Sequence, residues 1–189
     1  MKCGADKCGS GAMAMHKSKK QVQSFVTHKR QMVTLPEVVQ IRADGKKVRF
    51  ADDINDGRPV VLNFIFTTCT AICPISSSTF MQLQKQLGKD ENKVHLVSVS
   101  IDPEQDTPRV LREYARKYHA RPGWDFYTGT ADNSVAIQEA FNVYRGDKMS
   151  HDPVTFVRTA PGKTWLRIDG FTTANALLQD YHKQLAANN

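Results

Sequence analysis

The sequence lacks several features that mark common classes of protein. It contains no run of about 18 apolar residues, the length that a bilayer-spanning helix needs. It has no C-x-x-C-H segment, so covalently attached haem is not expected. It opens with no charged and apolar leader that ends in a small-residue cleavage site, and we therefore expect either an intracellular protein or a chain whose leader has been removed.

The folded part of the chain also lacks an excess of charge. The 26 Lys and Arg residues and 19 Asp and Glu residues give a formal net charge of +7. Seven of these cations and one of these acids lie in residues 1–30, so residues 31–189 are close to neutral. A protein that fills a nucleic-acid groove needs its cations on the folded body. We therefore expect no nucleic-acid partner.

Turn signals and apolar runs alternate along residues 26–189, which predicts a single α/β domain. The Asp44-Gly45 pair between alternating apolar positions predicts an N-terminal β-hairpin. Val60–Phe66 and His95–Ile101 are typical of strands buried in a parallel sheet. The other predicted elements are a helix after Cys73 that stops at Gly88, a helix opened by Thr107-Pro108, a strand Trp124–Gly129, a helix Ser134–Tyr144, a hairpin around Pro161-Gly162 and a closing helix from Thr172. This order predicts a central mixed β-sheet flanked by helices on both faces.

Two of the four cysteines, Cys69 and Cys73, lie where the first buried strand gives way to its helix. Open α/β sheets build their sites at the carboxyl ends of central strands. The positive end of the following helix favours the thiolate, the form that attacks disulfides and binds metals. If residues 69–73 form a loop entering the helix, both sulfurs can face one side, which suits copper(I) or a disulfide. The spacing leaves open that the cysteines are buried apolar residues or a structural disulfide.

One of the six histidines offers a third ligand. His151 stands directly before the penultimate strand, and in a sheet of this type the start of that strand lies beside the cysteine-bearing turn. His151 can therefore approach Cys69 and Cys73, and an imidazole with two thiolates is a recognised copper set. For three other histidines we expect solvated or packed roles: His95, His119 and His182.

Taken together, these residues resemble the SCO/SenC family of copper-binding, thioredoxin-like proteins, from about Thr34 to the C terminus. The stretches that carry the resemblance are NFIFTTCTAICP, with its C-x-x-x-C-P motif, VSVSIDPEQDTPRVLREYARKY and GWDFYTG. The resemblance implies a thioredoxin-like fold that binds one copper ion through Cys69, Cys73 and His151. It also implies a role in maturing the copper centre of a respiratory oxidase, or thiol-disulfide reduction outside the cytoplasm.

The same resemblance implies partners and a location. The expected partners are the copper ion, the copper-centre subunit of the oxidase, other copper chaperones and thioredoxin-like reductants. We expect the periplasmic side of a bacterial inner membrane rather than the mitochondrial intermembrane space, with an anchor or leader that this sequence lacks. Copper(I) suits two thiolates and an imidazole, whereas copper(II) would need a further hard ligand.

The segment around the histidine departs from the family pattern. The family usually presents Asp-His before this strand, whereas this chain has Ser150-His151-Asp152-Pro153. Asp152 could orient the imidazole as a hydrogen-bond acceptor or could simply form a turn before Pro153. Pro153 is similar to the cis proline that faces the reactive cysteines in ordinary thioredoxins.

Residues 1–25 are rich in Gly, Ser and Lys, which predicts a disordered basic tail. One hypothesis is that this tail captures copper and relays it to the main site through donors that a flexible chain can carry: Cys3, Cys8, Met13, Met15 and His16. The alternatives are a tether with incidental cysteines, or a tail in which one cysteine carried a lipid. Its positive charges could also hold it near an anionic membrane.

The cysteine pair is compatible with three functions. The favoured one is a copper-binding assembly factor, which is not a turnover enzyme. The second is a thiol-disulfide oxidoreductase, in which Cys69 and Cys73 form the redox pair and His151 is not needed. A thiol peroxidase is disfavoured, because no proline lies between Pro59 and Pro74 at the distance that such enzymes place one before the reactive cysteine.

Overall fold

The computed structural model of the protein describes residues 26–187. Its strands are β1 (Thr27–Gln31), β2 (Val39–Arg42), β3 (Lys47–Arg49), β4 (Val60–Ile65), β5 (His95–Ser100), β6 (Trp124–Thr128), β7 (Val154–Arg158) and β8 (Trp165–Asp169). Its helices are α1 (Phe50–Ile54), α2 (Ile72–Leu87), α3 (Pro108–Lys117), α4 (Ala131–Ala140) and α5 (Ala174–Ala187), with short 3-10 segments at Gly88–Lys93 and Lys148–Ser150. The predicted tail and the boundary at residue 26 stay predictions, because residues 1–25 lie outside the described part.

All the strands join one mixed sheet in the order β1-β8-β7-β4-β5-β6-β2-β3. At its centre β4 runs parallel to β5 and antiparallel to β7, with Asn63 opposite Thr155. Every residue of β4 and β5 is buried, as expected for strands covered on both faces. Because β7 is antiparallel to β4, the end of β4 and the start of β7 meet at the same edge of the sheet.

Helices cover both faces of the sheet, as the sequence predicted. On one face, α2, α3 and α5 place Phe80, Leu111 and Leu177 in a common apolar cluster. On the other face, α1 and α4 contribute Ile54 and Ile137 to a second cluster. Each of these side chains is buried, and burying one large apolar side chain stabilises the fold by about 1.5–3 kcal/mol. None of the described helices is long and apolar enough to cross a membrane.

The N-terminal strands differ in part from the prediction. The β2–β3 hairpin around Asp44-Gly45 is confirmed, and Gly45 has the positive φ of 89° that its turn requires. This hairpin is part of the main sheet, because β2 also pairs with β6. The sequence did not predict β1, which pairs with β8, since four of its five residues are exposed and give no apolar pattern.

Threonine side chains cap the N termini of α3 and α4. The predicted start of α3 is confirmed: the Thr107 side chain accepts a hydrogen bond from the Val110 N–H, and Pro108 occupies the first turn. The helix predicted at Ser134–Tyr144 instead spans Ala131–Ala140, because Thr130 caps it three residues earlier than the apolar pattern suggested.

Candidate functional site

The cysteine-bearing turn lies at the carboxyl end of β4, as predicted. The Cys69 N–H donates to the Phe66 carbonyl at 3.1 Å, which closes the turn. Cys73 lies in the first turn of α2, and its N–H points at the Cys69 sulfur, 3.4 Å away. The Phe66 N–H donates to the Cys73 sulfur at 3.5 Å. Both thiols are free, so the structure holds a dithiol in the form that can bind a soft metal or become oxidised.

The two thiols have opposite electrostatic surroundings. Burial alone would raise the pKa of Cys69, but hydrogen bonds from the backbone of residues 71–73 and from the Cys73 thiol outweigh burial and hold that pKa below its ordinary value. Burial, with smaller contributions from Cys69 and Asp106, raises the pKa of Cys73 to about 12. At neutral pH the partly exposed sulfur is therefore enriched in thiolate, while the fully buried sulfur keeps its proton.

This asymmetry predicts selective alkylation. In the reduced chain with Cys3→Ser and Cys8→Ser, iodoacetamide at neutral pH should modify Cys69 first and Cys73 roughly a hundredfold more slowly, because Cys73 is both protonated and buried. Peptide mass spectrometry over a time course measures the two rates. Equal rates at the two cysteines would contradict the assignment.

His151 follows the short 3-10 segment before β7 and is 7% exposed. Its Nε2 lies 3.2 Å from the Phe64 carbonyl oxygen, and since a carbonyl only accepts, Nε2 donates. The neutral ring therefore keeps a lone pair on Nδ1. Burial lowers the pKa of His151, against the opposing effects of the Phe64 carbonyl and Asp152, so the ring is neutral at pH 7. A neutral imidazole is the form that binds metals.

Asp152 does not orient the imidazole. Its side chain is exposed and pairs with Arg145, with Nε and Oδ2 3.4 Å apart, while the Phe64 carbonyl takes the proton of His151. Of the two roles considered for Asp152, the structure therefore excludes that of acceptor, because the Phe64 carbonyl at the end of β4 takes the proton instead. No cis peptide bond occurs in the described part of the chain, so Pro153 does not share the cis geometry of the thioredoxin proline that it resembles.

Cys69 and His151 line one cavity of about 100 Å³ at this edge of the sheet. Its other lining residues are Phe66, Thr68, Thr70, Ala71, Ile72, Lys148 and Met149. Cys73 lies behind this wall with 0% exposure. Across residues 26–187, no group of three His, Cys, Asp or Glu side chains is close enough to hold a metal ion as it stands. The structure thus brings the predicted ligands to one edge, and a three-ligand set requires their side chains to move.

Asp106 supports the turn and was not singled out from the sequence. This fully buried carboxylate accepts hydrogen bonds from the Thr67 N–H and hydroxyl and from the Ser100 hydroxyl. Burial raises the pKa of Asp106, although these hydrogen bonds oppose the rise. The nearby Asp102 carboxylate pairs with Lys148, which lies over the Phe66 ring. The sequence feature that could have identified Asp106 is its position, six residues after a buried strand and directly before the capping residue Thr107.

The three histidines expected to have solvated or packed roles do not line this cavity. His95 is buried at the start of β5, where its Nε2 lies 2.9 Å from Asp125 Oδ2, so the packed role expected for it is confirmed. His119 and His182 are exposed on the surface. None of these three lines the cavity that Cys69 shares with His151.

The model of the SCO1/SenC family matches residues 39–186. The chain belongs to the SCO1/SenC family. This confirms the resemblance drawn from the three sequence stretches. The SCO1 protein homolog of Bacillus subtilis is 36% identical over 93 residues, which cover 49% of this chain and 47% of that protein. The chain spans about half the length of the curated relatives it matches, with coverage between 47% and 60% of the first three.

Solved SCO structures share the fold and confirm its thioredoxin-like class. ScoI of Bradyrhizobium japonicum, solved with copper bound, has a TM-score of 0.63 at 22% identity, over 77% of this chain and 96% of that one. BsSco, described as a member of the Sco family of cytochrome c oxidase assembly proteins with a disulfide switch, has a TM-score of 0.67 at 23% identity. The match covers 82% of this chain and 95% of BsSco.

Proposed function

We propose that this SCO1/SenC protein binds one copper(I) ion through Cys69, Cys73 and His151 and delivers it during assembly of a respiratory copper oxidase. The observation that carries the proposal is the shared cavity, which a thiol with a lowered pKa and a neutral imidazole both line. The copper-bound ScoI and the assembly role stated for BsSco support the choice of cargo.

Binding couples to the protonation of the buried cysteine. Copper(I) meets the Cys69 thiolate first, since this sulfur lines the cavity. Cys73 ligates only after it loses its proton, because a thiolate is the metal-binding form and its pKa is about 12. His151 contributes the lone pair of Nδ1 if its Nε2–H keeps its hydrogen bond to Phe64. The proton released from Cys73 links affinity to pH.

Replacing His151 with alanine is expected to weaken copper(I) binding by about ten- to a hundredfold, since the variant removes the one nitrogen ligand. A competition titration of the reduced protein against a chromophoric copper(I) chelator measures the affinity. Cys3→Ser serves as the control, with little expected loss. Unchanged affinity for His151→Ala would favour the second function, thiol-disulfide exchange, over copper delivery.

The dithiol itself is the observation that favours this second function. The Cys69 thiolate would attack a partner's disulfide and displace one partner sulfur as a thiolate. Cys73 would then lose its proton and attack Cys69 in the mixed disulfide. The products are a Cys69–Cys73 disulfide and a partner with two reduced cysteines, so two electrons pass to the partner. Thioredoxin-like reductants would have to regenerate the dithiol.

The proposal also covers the location and the partners of the protein. A periplasmic location, a membrane tether and the oxidase copper subunit as acceptor all fit copper delivery outside the cytoplasm. The tail donors Cys3, Cys8, Met13, Met15 and His16 lie outside the described residues. Their role in relaying copper stays a hypothesis, which Cys3→Ser with Cys8→Ser tests: unchanged copper stoichiometry and transfer rate would reject it.

A further inference from the structure

A soft donor that none of the expected ligand sets includes lies at the mouth of the cavity. Met149 lines the same space as Cys69 and His151, and its side chain is 75% exposed. A thioether is a ligand that copper(I) prefers. The cavity of about 100 Å³ is large enough to admit an ion.

The backbone beneath Met149 is held in place although its side chain is free. The Asp147 carboxylate accepts a hydrogen bond from the Met149 N–H at 3.0 Å. On one side, Lys148, which also lines the cavity, pairs with Asp102. On the other side, the His151 N–H donates to the Lys148 carbonyl at 3.2 Å. These contacts hold the backbone of Met149 next to the cavity. Because its side chain is exposed, the thioether can change rotamer toward or away from an arriving ion.

We propose that Met149 is the entry ligand for copper(I), capturing the ion together with the Cys69 thiolate before Cys73 and His151 bind it. This inference rests on the copper function proposed above. Met149 is 75% exposed, whereas His151 is 7% exposed and Cys73, which does not line the cavity, is 0% exposed. An ion that enters the cavity therefore reaches Met149 and Cys69 before the two buried donors. The copper stays in the +1 state, and only the ligands of the donor are displaced.

Methionine methyl NMR tests the contact at one residue. The full-length reduced chain is labelled with [methyl-13C]methionine, which reports the chain's six methionines, and is titrated with copper(I) in the presence of a weak chelator. Met149→Leu assigns its signal. The expected result is a shift of the Met149 methyl signal with the first equivalent of copper in Cys73→Ser, in which the ion cannot move on from the entry pair to the complete ligand set. The signal of Met32, 66% exposed and absent from the lining of the cavity, should not move.

Capture kinetics provide the second readout. In the full-length chain with Cys3→Ser and Cys8→Ser, Met149→Leu should slow the uptake of copper(I) from its bicinchoninate complex about tenfold, while the matched Met32→Leu should not. Leucine matches methionine in volume, and the exposed site makes misfolding a poor explanation. A Met149 methyl signal that does not shift in Cys73→Ser, or capture by Met149→Leu at the unsubstituted rate, overturns the inference. If Cys69→Ser also captures copper normally, the proposed copper function fails as well.

Discussion

Cys73→Ser should lower the copper(I) affinity of the reduced protein about a hundredfold at neutral pH. A four-ligand structural metal site contributes about 10–16 kcal/mol in total, or about 3 kcal/mol for each ligand, and about 1.4 kcal/mol corresponds to a factor of ten. A serine hydroxyl is a hard donor that copper(I) binds poorly. The variant should nevertheless fold, because a hydroxyl can accept the Phe66 N–H that now points at the sulfur.

The pH dependence makes this prediction specific for Cys73. Because its pKa is about 12, copper must displace one proton from this thiol throughout the neutral range. A plot of the logarithm of the copper(I) affinity against pH should therefore be steeper for the unsubstituted protein than for Cys73→Ser. The two slopes should differ by about one. Competition titrations at several pH values measure both slopes, and Cys3→Ser is the control. Equal slopes would show that Cys73 is not a ligand.

Asp106→Ala should destabilise the fold by about 3 kcal/mol and loosen the cysteine-bearing turn. The substitution leaves the Thr67 N–H, the Thr67 hydroxyl and the Ser100 hydroxyl without their shared acceptor, and an unpaired buried group costs about 1–3 kcal/mol. Urea denaturation measures the loss. The control Asp132→Ala removes an exposed acid from the first turn of α4 and should cost less than about 1 kcal/mol.

Asp106→Asn separates the hydrogen bonds from the charge. The raised pKa of Asp106 means that the folded state binds its proton more tightly than the unfolded state does, so this group's contribution to stability is largest at low pH. That contribution is lost as the pH rises from the ordinary value of 3.8 through the raised pKa. Asp106→Asn cannot titrate and should lack this loss, while it keeps an acceptor oxygen for Thr67 or Ser100. Identical pH profiles for the two proteins would contradict the role given to Asp106.

The sequence predicted the central sheet and the cysteine edge because their signals are local. The buried runs of β4 and β5 and the Thr107-Pro108 cap depend on neighbouring residues only. The position of His151 beside Cys69 could also be predicted, since it follows from the order of strands in the sheet. By contrast, β1 has no apolar alternation, and its place beside β8 depends on long-range pairing.

Side-chain partners at the site could not be predicted from the sequence. The acceptor for His151 is a backbone carbonyl of β4, which no pattern of side chains reveals. Asp152, one of the candidate acceptors that the sequence offers, faces solvent instead. Asp106 binds the turn only because β5 and the loop before α3 fold back toward Thr67. The unequal pKa values of the two cysteines likewise come from burial and hydrogen bonding, which their spacing does not determine.

The most direct test of the central claim is X-ray absorption at the copper edge for the reduced protein with Cys3→Ser and Cys8→Ser, loaded with one equivalent of copper(I). The account predicts one bound ion with two sulfur ligands and one nitrogen ligand, and loss of the nitrogen contribution in His151→Ala. Copper that stays with a competing chelator, or a bound ion whose ligands are the same after Cys69→Ser with Cys73→Ser, would contradict it.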